Sequence, residues 1–79
     1  MSVKTIDDLI KESSGNLSVD IEIDNVHCHL LIFRGIVTVT LFPDESLGLH
    51  RGHFEPDEEE RSIPVADLLR SYIARLAPV

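Results

Sequence analysis

From Leu17 to Asp24 apolar and polar residues alternate without a break, with Leu17, Val19, Ile21 and Ile23 set against Ser18, Asp20, Glu22 and Asp24. Successive strand residues point to opposite sides, so the segment reads as a β-strand buried on one face. Asp24-Asn25 then supplies residues that tolerate the left-handed backbone of a two-residue hairpin turn. Folding back there pairs Ile23 with Val26, Ile21 with Cys28, Val19 with Leu30 and Leu17 with Ile32. Every inward residue meets another, and a slip of one position would break the match throughout. Arg34-Gly35 repeats the result, pairing Ile32 with Val37, Leu30 with Val39 and Cys28 with Leu41. Two turns that agree on one face predict a three-stranded antiparallel meander. Its strands span about 17–24, 26–33 and 36–42, the second is central, and Pro43 ends it.

The flanks read as helices. Thr5 is a candidate N-cap, with Asp7 and Asp8 in the first turn, and Ile6, Leu9 and Ile10 form an apolar stripe that Gly15 stops. The spacing predicts this helix over about 5–14. Near the other end, Val65, Leu68, Leu69, Tyr72, Ile73 and Leu76 recur at helical intervals, opposite Asp67, Arg70, Ser71 and Arg75. Pro64 suits a first turn and Pro78 discourages extension, so this helix is expected over about 64–76. Residues 43–62 carry few signals and read as an acidic loop, with a short edge strand as the alternative around Gly48. Two helical stripes and one apolar sheet face are buried most simply in two layers. The fold class is therefore α+β: α-β-β-β-α, both helices on one face of the meander. At 79 residues, 43% of them apolar, the chain is expected to form a single domain, 1–79, with one small core.

The same register lays out the other face of the sheet. Glu22 lies across from His27, which faces Phe42; Asp20 lies across from His29, which faces Thr40; Ser18, Leu31 and Thr38 form a third row. Phe33 and Ile36 stand at the far end, beside Arg34 at the hairpin tip. Leu31, Phe33 and Ile36 are out of place on a face open to water, because antiparallel sheets usually alternate more cleanly. Either residues 43–60 fold over them, or they form a contact surface for a partner or a second copy, with Arg34 as a polar rim.

All four histidines fall in pairs, His27-x-His29 and His50-x-x-His53. Residues two apart on a strand share a face, so His27 and His29 can meet one Zn2+ or Ni2+ ion. Asp20 and Glu22 across the hairpin would serve as oxygen ligands or orient the imidazoles. Ordinary cross-strand acid–histidine pairs account for the same residues. No fixed spacing links the loop pair to the strand pair, so no cofactor is assigned. Cys28 falls on the buried side by parity, as a small core residue rather than a nucleophile. No phosphate loop or nucleophile elbow is present, and a non-catalytic protein is expected.

Fourteen acidic residues against seven basic ones set the formal charge at −7, which argues against direct nucleic-acid binding and against an anionic membrane surface. Part of that charge is the run Asp57, Glu58, Glu59 and Glu60 before the last helix. Met1–Lys11 holds no apolar stretch of signal-peptide length, and Leu30–Phe33 is the longest apolar run, so a cytoplasmic location is expected. The element order resembles that of the double-stranded RNA-binding domain, which contacts phosphates with a basic cluster at its second helix. Here that approach reads Glu58-Glu59-Glu60-Arg61-Ser62, of opposite sign, and the resemblance implies no RNA binding. In size and charge the chain is similar to acidic phage anti-CRISPR and anti-restriction proteins. That implies an alternative reading as an inhibitor occupying an enzyme's nucleic-acid groove. The main expectation is an interaction module that binds a protein partner, or itself as a homodimer. Its contact residues would be Leu31, Phe33, Arg34 and Ile36, with Asp20 and Glu22 adding selectivity.

Overall fold

The computed structural model describes residues 4–79; residues 1–3, at the start of the Met1–Lys11 stretch considered for targeting, lie outside the described residues. Helix α1 spans Ile6–Ser13. Thr5 caps it reciprocally: its Oγ1 accepts from the Asp8 amide at 3.2 Å, and Asp8 Oδ2 accepts from the Thr5 amide at 3.0 Å. This capping box satisfies two amides that the first turn leaves unpaired. The helix ends on Ser14, left-handed at φ 56°, one residue before the glycine expected to stop it.

Strands β1 (Asn16–Ile23), β2 (Val26–Phe33) and β3 (Ile36–Pro43) form the meander in the predicted register. Asp24 and Asn25 have φ of 51° and 65°, and Arg34 and Gly35 have 52° and 75°. Positive φ at both central residues is the geometry whose twist matches a two-residue hairpin.

The sheet has a fourth strand. β4, Gly52–Phe54, pairs antiparallel with β3 (Val39 with Phe54, Thr40 with His53, Leu41 with Gly52), giving the order β1-β2-β3-β4. The segment 43–62 is therefore not a plain loop. It makes a 3-10 turn at Glu45–Leu47, adds β4, and makes a second 3-10 turn at Glu60–Ser62. Three residues are too few to display a period-two pattern, which is why the strand is faint in the sequence. A Cβ at Gly52 would lie 2.3 Å from Leu76 Cδ2 and 2.8 Å from the Phe54 ring, so any larger residue there must displace both side chains.

Helix α2 covers Val65–Ile73, shorter than the apolar stripe suggested. Arg75 and Leu76 continue through tighter bonds to the carbonyls of Tyr72 and Ile73, so Leu76 still reaches the core at 8% exposure. The tail then runs antiparallel to the segment before β4, joined by His50 N–H to Ala77 O and Val79 N–H to Gly48 O, both at 2.8 Å. Both helices pack on one face of the sheet. Ile6, Leu68, Leu69 and Tyr72 close over Val26, Cys28, Leu30, Ile32, Val37, Val39 and Leu41. Among the described residues no helix is long and apolar enough to cross a membrane.

Candidate functional site

Among the described residues nothing covers the outer face of the sheet. Residues 43–62 widen the sheet at its β3 side and then turn toward α1, so they do not fold over it. Leu31, Phe33 and Ile36 are left 39%, 56% and 65% exposed, and Phe42 is exposed at the opposite end, across from His27. Pairing places Phe33 beside Ile36 and Leu31 between Ser18 and Thr38, making one continuous apolar end. Two guanidinium groups border the aromatic rings: Arg34 lies 5.3 Å from the Phe33 centroid and Arg51 lies 5.1 Å from that of Phe42. Such contacts add about 0.5–1 kcal/mol at exposed sites and hold the cations along the edge of the face.

At the other end one carboxylate oxygen gathers two imidazoles. Asp20 Oδ1 accepts from His27 Nε2 at 3.1 Å and from His29 Nδ1 at 2.8 Å. Residue pairing sets Glu22 opposite His27, yet the imidazole leans diagonally to Asp20, within reach of a long side chain on a twisted sheet. These two hydrogen bonds, from His29 first and His27 second, hold the Asp20 carboxyl below its ordinary value. A depressed carboxyl pKa adds stability that is present above the unfolded value near 3.8 and is lost as pH falls through the folded one. Asp20→Asn should therefore lower thermal stability slightly at neutral pH, where the contribution is fully present, and flatten the acid limb below about pH 4, where the wild type loses it. An unaltered acid limb in a pH series of melting curves would show that the pair contributes nothing.

Strand β4 brings a third imidazole to this face. His53 Nδ1 lies 3.4 Å from Thr40 Oγ1, extending the row from Asp20 through His29 and Thr40 to the far edge. Parity along the strand could have revealed this placement only if β4 had been recognised. His50 stays apart, in a groove of about 500 Å3 beside Pro43, Leu49 and Val79. His27 and His29 share a face as their spacing requires. Asp20 occupies the nitrogens turned toward it, and among the described residues no three His, Cys, Asp or Glu side chains are arranged to hold a metal ion.

Cys28 is fully buried, and burial pushes its thiol up, which disfavours the reactive thiolate. In the acidic run, Asp57 and Glu60 cap each other's amides, Asp57 Oδ1 accepting at 2.9 Å and Glu60 Oε1 at 3.3 Å. Glu58 and Glu59 point to solvent. Two of the four carboxylates thus also shape the local turn. No known protein family, curated protein or solved structure is similar enough to this chain to match it.

Proposed function

We propose that this chain is a small non-catalytic interaction module that binds protein through the outer face of its sheet. The observation that carries the reading is the continuous apolar end formed by Leu31, Phe33 and Ile36, exposed although the chain has a further segment that passes beside it. A contiguous exposed apolar area that none of the described residues covers supports reading it as a contact surface. Arg34 at the apolar end, with Arg51, Asp20 and Glu22 at the polar end, gives the face the charged surround that sets register and selectivity.

The test is a Leu31→Asp/Phe33→Asp double variant, compared with the wild type by light scattering and by capture from a lysate. Both side chains are exposed, so circular dichroism should be unchanged. Self-association, or retention of a captured protein, should fall at least tenfold. An unchanged capture profile together with an unchanged mass would sink the proposal.

A further inference from the structure

In an acidic chain, the outer sheet face is close to electrically balanced. The formal charge of the whole is −7, but the charges bordering this face are Asp20 and Glu22 on β1 and Glu55 just past β4, against Arg34 at the hairpin and Arg51 beside β4. Asp24 turns away to the helical layer, where its carboxylate lies 3.6 Å from Arg70. At two levels the charges are also segregated laterally: Asp20 and Glu22 lie along β1, whereas His53 and Arg51 lie at the same levels along β4, with Glu55 beyond them level with Ser18. A face with acid on one edge, base on the other and apolar residues at one end is complementary to itself.

Resting on the outer-face reading, we propose that its occupant is a second copy of this chain, docked about a two-fold axis that runs along the strands midway between β2 and β3. Such an axis preserves height along the strands and exchanges left for right. It therefore sets β2 over the partner's β3 and β1 over the partner's β4. In this isologous contact each facing pair occurs twice.

The strand pairing supplies the levels. Phe33 is level with Ile36, and Leu31 with Thr38, so the apolar end meets the apolar end. His29 faces Thr40, and His27 faces Phe42. Asp20 is level with His53 through His29 and Thr40, so these two meet across the axis. Glu22 is level with Phe42, over whose ring Arg51 lies, so the carboxylate meets the guanidinium. Aligned face-to-face sheets keep their strand directions within about 30°, which retains these levels. The opposite choice, an axis across the strands, would lay Phe33 and Ile36 over the acidic end.

The edge of β1 is a poorer place for a second copy. Pairing β1 with itself would set the Asp20 and Glu22 side chains of two copies along one face, and like charges opposed across strands are destabilising. Three eight-residue strands about 26 Å long and the three-residue β4, spaced about 4.8 Å apart, present only ~400 Å2 per copy. That is below the roughly 800 Å2 per partner of a standard interface, so the dimer is weak and concentration-dependent.

Sedimentation equilibrium across a concentration series is the test, with circular dichroism to show that each variant is folded. The wild-type mass should rise from 8.9 kDa toward twice that value. Glu22→Arg and Arg51→Glu should each raise the dimer dissociation constant at least tenfold, because each homodimer then opposes two like charges. An equimolar mixture of the two single variants should recover the dimer, since both facing pairs are again of opposite sign. The Glu22→Arg/Arg51→Glu double variant should recover it alone. A wild type that remains monomeric at millimolar concentration overturns the second copy, and capture of another protein that is lost in Leu31→Asp/Phe33→Asp would then leave the outer-face reading standing. Self-association abolished by Leu31→Asp/Phe33→Asp without rescue by the mixture overturns the axis alone. Self-association indifferent to that double variant overturns both.

Discussion

Leu30→Asp should abolish folding, whereas Leu31→Asp, one residue along, should leave the fold intact. Leu30 has no exposed surface and packs inside the core between Val19 and Val39. Truncating a buried leucine costs about 2–5 kcal/mol, and an uncompensated buried carboxylate adds several more. A domain of 79 residues has only about 4–12 kcal/mol of stability in total. Leu31 is 39% exposed, beside Ser18 and Thr38, and its replacement should cost about 1 kcal/mol or less. Urea unfolding followed by far-ultraviolet circular dichroism, at concentrations low enough to keep the chain monomeric, distinguishes the two. A cooperative native-like transition for Leu30→Asp would mean that β2 does not hold the face assigned to it.

That prediction depends on parity, and parity is legible in the sequence alone. Eight residues of strict alternation, followed by two turns whose residues accept positive φ, leave one register in which apolar meets apolar. The observed pairing of Asn16–Ile23 with Val26–Phe33, and of the latter with Ile36–Pro43, is that register. The contents of the outer face followed from it, including the neighbourhood of Asp20, His27 and His29. Which carboxylate the imidazoles would choose did not follow, because the diagonal lean of His27 toward Asp20 depends on twist and rotamer, and neither is written in the pattern.

Residues 43–62 were not legible for a different reason. Their structure is set by long-range contacts, not by local period. β4 has three residues, its inward positions are Gly52 and Phe54, and it is recognisable only beside β3. The final turn after α2 behaves similarly. Leu76 continues the helical spacing in sequence, but the backbone tightens after Ile73 to bring the tail alongside Gly48–His50. Without β4 the histidine at position 53 had no face, and the lateral segregation of charge across the sheet was invisible.

The contact that ties this segment to the core yields the other large effect. Tyr72 is 1% exposed and stacks on Phe54 of β4, with ring centroids 4.3 Å apart and planes within 5°. Arg75 lies over both rings, at 5.7 Å and 5.1 Å. Tyr72→Ala should therefore cost about 3–5 kcal/mol, the range for deleting a large buried aromatic side chain. It should also release β4, because Phe54 loses its stacking partner. Tyr72→Phe keeps the stack and should do the opposite. Among the described residues no acceptor lies in good hydrogen-bonding geometry to the buried hydroxyl, the Glu60 carboxylate only approaching it, and an unsatisfied buried group costs about 1–3 kcal/mol, so removing it should stabilise the fold by up to about 1 kcal/mol. Burial, with the nearby Glu60 carboxylate, pushes the phenol far above its ordinary value near 10. A raised pKa gives stability that is complete below the unfolded value and declines as pH rises, because the unfolded chain ionises while the folded one does not. The wild type should accordingly weaken above about pH 10, with a slope of up to ~1.4 kcal/mol per pH unit. In Tyr72→Phe that part of the decline should vanish. Thermal unfolding of the two proteins from pH 8 to pH 11 provides the measurement, and parallel alkaline limbs would show that the phenol is accessible to solvent when folded.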